Sequence, residues 1–400
     1  MSETDGQASY TEVARARPTG WRLFLAFLRL GLTAFGGPAM VAYIRELAVK
    51  KKGWLADESF QDGVALCQSI PGATAMQTAA YVGLRAGGPW GALAAFVGFG
   101  LPAFALMLVL SAVYQASRNV GLVISAFHGL HLIVIALIAN AAVNFGRTSI
   151  KNWRDGLLAA GAAVWLAMHG SPIIAIVAAA ILGAILYHGI KPPPAKAHAG
   201  QPTRLAQSLA VPGILMLLTL AGLASLFLFS RPLLDLSTLM LKVDLFAFGG
   251  GFASIPLMLH EVVDLRGWMD NKTFMDGIAL GQVTPGPIVI TATFVGYQTA
   301  GVLGAVVGTI SIFTPSFLMV LLTVPYFDRM QKSPLFRRVL RAILASFVGL
   351  LLAVAINFGV AVHWTFPGVA IAVAAFVALR LKVDILWVVL AGGALSVFVL

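Results

Sequence analysis

Long apolar runs separated by short polar breaks cover most of the chain, and within the runs apolar residues follow one another continuously instead of alternating. Continuous runs of about 20 apolar residues mark membrane-crossing helices, whereas the strands of an outer-membrane barrel alternate apolar and polar positions. Runs bounded by charges, glycine and proline lie at 21–43, 61–84, 89–114, 122–145, 153–170 and 172–190. A second set lies at 209–229, 234–259, 275–298, 301–326, 341–362, 364–380 and 384–400. The pattern predicts an all-α polytopic membrane protein with about thirteen transmembrane segments. Residues 1–20 are polar and of mixed charge, and the run after them is broken by Arg22 and Arg29. They read as an uncleaved cytoplasmic tail, not a signal peptide. Between Lys191 and Ser208, the stretch KPPPAKAHAGQPTRLAQS cannot form a membrane helix and reads as a linker between two halves.

Composition narrows the class. Of 400 residues, 59% are hydrophobic and 11% charged, against about a quarter charged in soluble domains, which excludes a water-soluble globular protein. The net charge of +11 would suggest nucleic acid in a soluble chain. Here it reads as positive loops held at the cytoplasmic face, with the lipid bilayer as partner and no nucleic acid. A single cysteine, Cys67, permits no internal disulfide and argues against Cys-ligated metal, haem or iron–sulfur chemistry. No HExxH motif, Cys/His cluster or GxxxxGK[ST] loop occurs, so neither an enzyme nor an ATP-driven pump is expected, and no cofactor.

The chain repeats once. FLRLGLTAFGG (27–37) aligns with MLKVDLFAFGG (240–250) at an offset of 213. From Trp54 to Gly72, at an offset of 214, nine of 19 positions are identical to Trp268–Gly286, among them Trp, Asp-Gly, Gln and Pro-Gly in order. The match returns to 213 through Pro102 with Pro315 and Asn144-Phe145-Gly146 with Asn357-Phe358-Gly359. The organisation is a first repeat at 21–190, the linker at 191–208, a connecting helix at 209–229 and a second repeat at 230–400. The odd connecting helix makes the repeats inverted. Charge agrees, because equivalent loops of inverted copies face opposite sides and carry different Lys/Arg loads. Arg147, Lys151 and Arg154 have no basic counterpart near His363 and Trp364, whereas Arg329, Lys332, Arg337, Arg338 and Arg341 stand where the first copy has only Arg118. Both contrasts place the N-terminus inside and the C-terminus outside. One loop dissents: Arg45, Lys50, Lys51 and Lys52 fall outside, against Arg266 and Lys272 inside. A short interfacial helix there, or a first segment that does not fully cross, removes the conflict.

In inverted-repeat transporters, substrate binds near mid-membrane where discontinuous helices meet, and paired Gly/Pro interruptions point to the place. Two pairs recur here: FGGP (35–38) with FGGG (248–251), and QSIPGA (68–73) with QVTPGP (282–287). Proline deletes a helical hydrogen bond and a glycine pair tolerates non-helical torsions, so each motif can end one half-helix and begin another. The freed backbone N–H groups form an anion site with neutral donors beside them. The candidate substrate residues are Gly36, Gly37, Pro38, Gln68, Ser69, Pro71, Gly72, Gly249, Gly250, Gly251, Gln282, Thr284, Pro285 and Gly286. The blander alternative is close helix packing and simple kinks. Arg29 and Lys242 share a repeat position inside apolar spans, and either snorkel to the interface or face the anion path. Asp62 and Asp276 read first as helix caps and second as proton carriers. Glu46 and Glu261 read first as surface partners of Arg45 or Arg266 and second as proton carriers. His128 and His131 have Arg341 and Leu344 in register, so a structural role is expected of them, and Asn144 and Asn357 read as interhelical hydrogen-bonding amides.

On these motifs the sequence resembles the chromate ion transporter family in its long, two-domain form. FGGP, the stretch from Trp54 to Gly72 ending in QSIPG, and their second copies carry the resemblance over nearly the whole chain. It departs at Ala73, where the second copy has Pro287. The resemblance implies a secondary transporter of the bacterial inner membrane that exports chromate and confers resistance, with sulfate as the natural competitor. An anion channel on the same inverted repeat is the alternative. The oligomeric state is not legible, a homodimer being one arrangement open to it.

Overall fold

The computed structural model describes residues 18–35, 39–188 and 210–399. Residues 1–17 of the tail, the linker 191–208 and the motif residues Gly36, Gly37 and Pro38 lie outside the described residues. The first copy comprises α1 (Gly20–Thr33), α2 (Ala39–Arg45) continued by a π-helical turn (Glu46–Lys51), α3 (Asp57–Ser69), α4 (Thr74–Ser117), α5 (Gly121–Ser149), α6 (Trp153–Ala167) and α7 (Pro172–Leu186). After α8 (Ala210–Phe229) come α9 (Arg231–Phe246), a 3-10 turn (Gly251–Ala253), α10 (Ser254–Leu259) with its own π-helical turn (His260–Leu265), and α11 (Asn271–Val283). The chain closes with α12 (Thr291–Thr323), α13 (Phe327–Lys332), α14 (Pro334–Ala361), α15 (Phe366–Arg380) and α16 (Ile385–Val399). Apart from α13, the helices of the two copies correspond in order. α6 and α15, like α7 and α16, have equal lengths and begin 213 residues apart, and both copies carry the π turn. Local capping sets several starts: Asn152 and Asp155 form a reciprocal capping box on α6, and Asp270 accepts a bond from Thr273 N at 2.8 Å on α11.

Four of the expected crossings are not single helices. In one continuous helix Gly63 and Tyr81 would stand about 27 Å apart, yet a Cβ at Gly63 would lie 2.2 Å from the Tyr81 ring, and Tyr81 Oη donates to Ser59 O at 3.0 Å. Segment 61–84 is therefore a hairpin, α3 returning through Pro71-Gly72 into the first part of α4. Segment 275–298 repeats this, with Gly277 against the Phe294 ring at 2.4 Å. The helices flanking the FGG motifs lie back against each other as well: Lys242 of α9 pairs with Glu261 beyond α10, and Phe27 of α1 stacks on Trp54 beyond α2 with ring centroids 6.3 Å apart. Sequence could not separate these cases, because two half-helices and one crossing helix present the same apolar length. The second parts of α4 and α12 start at Gly88 and Gly301, which take left-handed φ of 71° and 59°.

The copies interlock. The α6–α7 hairpin of the first copy packs on α14 of the second, and α15 and α16 of the second pack on α5 of the first. Small residues bring these helices close: a Cβ at Gly349 would fall 1.8 Å from Ala159 O, and one at Gly183 would fall 2.3 Å from Ala342 Cβ. Asp155, wholly buried, anchors the first contact. It accepts two bonds from Arg341, at 3.0 and 2.8 Å, and one from Tyr187 Oη. The C-terminal end of α5 thus lies beside the start of α14, while His128 and His131 near the other end of α5 share a cavity with Val362 and His363. The equivalent helices α5 and α14 consequently run antiparallel. Five helices or kinked helical segments are long and apolar enough to cross a membrane, counted among the described residues. α8 is almost wholly exposed along its length, as suits a helix surrounded by lipid tails.

Candidate functional site

The hairpin tips of different copies meet. Pro71 and Phe248 form an isolated antiparallel bridge, and Gly72 N donates to Ala247 O at 2.9 Å. Gly72 holds φ of +117° with Ser316 and Gln77 packed where a side chain would go, and Gly286 makes the equivalent contact on Ala103. Beside this crossing lies a cavity of about 750 Å³. Its walls bring together Ala73, Thr74 and Ala75 at the start of α4, Gly249–Gly251 of the other copy, and Pro287 with Ile288. At its N-cap α4 has Ala73, which offers no side-chain acceptor and whose own N–H goes to Ser316 Oγ. Its first N–H groups lack helical acceptors and carry the positive end of the helix dipole into the cavity, the arrangement that binds oxyanions. Gln61, Gln68, Asn144, Thr148 and Arg45 add polar groups to the same walls. Arg45 forms a bidentate pair with Asp57 at 2.6 and 2.7 Å, and its guanidinium holds the Asp57 carboxyl below the ordinary carboxylate range.

The sequence candidates therefore divide. Gln68 and Gly249, Gly250 and Gly251 line the cavity. Pro71, Gly72, Thr284, Pro285 and Gly286 are buried behind it as the hairpin tips. Ser69 Oγ donates to Ala65 O at 2.7 Å, and Thr284 Oγ1 to Gly281 O at 2.9 Å, so both hydroxyls are spent on local turns. Gln282 is partly buried with its Nε2 unpartnered. Arg29 is exposed on α1, and Lys242 pairs with Glu261. Thr74, Gln61 and Asn144 were not singled out as cavity residues. Asn144 does accept an interhelical bond from Arg380 at 2.8 Å, as expected of it.

The carboxylates need correction. Asp62 and Asp276 do not cap their helices: α3 is capped at Ala56 and α11 at Asp270, several residues earlier. Asp276 is buried and bonded to Tyr114 Oη at 2.7 Å and to His131 Nε2 at 2.6 Å, joining the copies. His131 has no histidine in register because its partner is a carboxylate of the opposite copy. A cavity of about 340 Å³ lined by His128, His131, Lys272, His363 and Thr365 borders this cluster at the far end of α5. Glu261 is buried, not a surface partner, and binds Arg266 at 2.5 Å as well as Lys242. Glu46 is half-buried and pairs with Lys50 at 3.0 Å. The two glutamates are not equivalent either, since the π turns align Glu46 with His260.

Comparison with known proteins decides the family. A family model described as chromate transporter matches twice, over residues 21–184 and 234–397, the same 213-residue offset that relates the helices. The chain belongs to the chromate transporter family. An uncharacterized transporter of Methanocaldococcus jannaschii is 43% identical over 396 residues, covering 96% of each chain. Chromate transport proteins of Pseudomonas aeruginosa and Cupriavidus metallidurans are 31% and 33% identical, over 93% and 82% of this chain and 90% and 80% of theirs. No solved structure matches. Membership makes the chain a membrane transporter and gives the paired cavity its setting.

Proposed function

We propose that this member of the chromate transporter family is a secondary transporter that exports chromate across the bacterial inner membrane, and so confers chromate resistance. The observation that carries the reading is the cavity of about 750 Å³ walled by an uncapped helix start from one copy and a triple-glycine tip from the other. It suits a tetrahedral dianion that is recognised by backbone dipoles, and sulfate is the competitor of the same shape and charge. A dianion moving outward down an inside-negative potential gains about 4.6 kcal/mol per 100 mV, so the potential alone can drive export. Proton coupling is the alternative, by antiport, which drives export, or by symport, which halves the gain from the potential, with Glu46, Asp62, Glu261 and Asp276 as the carriers to which the sequence points.

The topology we propose has four re-entrant hairpins and nine crossings: the second part of α4, α5, α6, α7, α8, the second part of α12, α14, α15 and α16. An odd number leaves the N-terminus inside and the C-terminus outside. Support comes from Arg45, which lines the same cavity as Thr148, and from Arg341, bonded to Asp155, so that Arg45, Arg147, Lys151 and Arg341 share one face. Lys272 lies with His363 at the other face. The loop that dissented from the positive-inside rule then conforms. Single cysteines at Lys51 and Lys151 are expected to react with an impermeant thiol reagent from the cytoplasmic face, and one at Lys272 from the outside. The native Cys67 is buried and gives little background. Reaction of the Lys51 cysteine from outside would overturn this arrangement.

The transport reading is tested in proteoliposomes. Chromate flux is expected to saturate, to accelerate with an imposed potential and to fall when sulfate competes. Ohmic single-channel current with no saturation would make the protein an anion channel.

A further inference from the structure

Of the acidic side chains described, Asp244 is the one buried without any cation beside it. It stands near the end of α9, where the hairpin tips cross, and is fully buried, as are Ser316 and Gln77. Its Oδ2 accepts from Ser316 N at 2.7 Å, while its Oδ1 has no partner. Ser316 Oγ in turn accepts from Ala73 N at 2.9 Å, and Ala73 lines the large cavity. Gln77 Nε2 donates to Pro71 O at 2.5 Å, which leaves Gln77 Oε1 as a second unpartnered buried oxygen. A Cβ placed on Gly72 would lie 2.1 Å from Ser316 Oγ and 2.7 Å from Gln77 Nε2, so serine and glutamine border one spot.

None of the charged groups on α9 and its neighbours pairs with this carboxyl. On α9 itself Lys242 is held by Glu261. In the π turn after α10, Glu261 also binds Arg266, and His260 lies 3.4 Å from Asp264. On α4, Arg85 donates to Tyr81, whose hydroxyl bonds Ser59 O. α8, α10 and residues 302–323 of α12, which pack around α9, contain no titratable side chain. A carboxylate removed from water with no cationic partner is too costly to stand alone. It requires a positive charge bound with it, and two unpartnered oxygens are too few to wrap a metal cation but enough to hold a proton.

We infer that Asp244 is the site at which one proton is bound together with the transported anion. The inference rests on the oxyanion-carrier reading. Its logic is electrostatic: the carboxyl is linked to the cavity wall through Ser316 and Ala73, so an ionised Asp244 repels a dianion there, and a bound dianion favours the protonated acid. By reciprocity each ligand strengthens the binding of the other. The device is single. The equivalent positions in the first copy are Gly31 and Ala103, and a Cβ at Gly31 would lie 2.5 Å from Phe99 O, so that site has neither carboxyl nor room for one.

The test is oxyanion affinity of the purified full-length chain against pH, with sulfate as probe because it stays a dianion over the range and chromate alongside. For the wild type, affinity is expected to fall up to tenfold per pH unit once the acid ionises, the slope of one linked proton. Asp244→Asn, a permanent mimic of the neutral acid, is expected to bind with no slope, and Asp244→Glu to restore one. An unchanged slope in Asp244→Asn, or a flat wild-type profile from about pH 5 to 9, overturns the proposal. So does a sodium requirement that disappears in Asp244→Asn, which would make the bound cation Na⁺. If the wild type binds no oxyanion, the carrier reading has failed, and infrared spectra then decide the proton separately. A carboxylic-acid C=O band that is present in the wild type, lost on raising pH and absent from Asp244→Asn supports the site. Identical spectra for the two proteins overturn it. Should Asp244→Asn not fold, Asp244→Glu and the wild-type infrared titration still give the answer.

Discussion

Gly250→Val is expected to lower chromate flux at least about 100-fold while the protein still inserts and purifies as a folded chain. Gly250 has φ of +98° and ψ of −168°, a region that only glycine enters without strain. Forcing a β-branched residue there costs about 1–3 kcal/mol, enough for a change of about fivefold to 150-fold in an equilibrium. The second effect is steric. A Cβ would sit 3.1 Å from Thr74 Oγ1, and Gly250 and Thr74 both line the cavity, so the added side chain crowds the wall offered to the anion. Gly72 is a poorer choice for this test. Its Cβ would lie 2.1 Å from the buried Ser316 Oγ, and the lesion would disturb packing as well as transport. Gly213→Val on α8 is the control, because nothing lies within 4 Å of its Cβ. Chromate uptake into everted vesicles at matched protein levels measures the effect, and undiminished uptake by Gly250→Val would remove the anion-cradle reading.

Arg341→Ala is expected to cost about 3 kcal/mol of stability, the largest single loss we anticipate among the charged residues. The partner carboxylate of Asp155 is wholly buried, and Arg341 supplies two of its hydrogen bonds across the junction between copies. Truncating the arginine leaves that charge with Tyr187 and the backbone N–H groups of Lys151 and Asn152, none of which neutralises it. Arg341→Lys keeps the charge but not the planar fork and is expected to recover only part of the loss. The double variant Asp155→Asn with Arg341→Ala is expected to be milder than Arg341→Ala alone, since the orphaned charge has gone. Denaturation of the detergent-solubilised protein measures all three. Equal stability of Arg341→Ala and wild type would show that the junction does not depend on this pair.

Both sites illustrate how far a sequence reaches. The glycines of the FGG and Pro-Gly motifs were identifiable because each breaks an apolar run at the same place in both copies. That the Pro-Gly glycines and Gly249–Gly251 are tips of returning hairpins was hidden, since hydropathy records length and not direction. Asp244 and Asp276 show the same limit. Each sits in a helix whose local sequence suggests an ordinary polar position, and each acquires its character from a residue 72 or 145 positions away, Ser316 for one and His131 for the other. The pairing of Arg341 with Asp155 spans 186 residues and is equally invisible locally.

By itself, the amino-acid sequence determined that this is a helical membrane protein made of two related halves broken by glycine and proline, because apolar run length, motif recurrence and loop charge are properties of neighbouring residues. Only the tertiary structure decided which segments turn back, which breaks face each other across a cavity, and which buried carboxyl is left without a cation. Those outcomes depend on the interlocking of the two copies, where groups far apart along the chain share one low-dielectric interior and each polar atom must find its partner or go without.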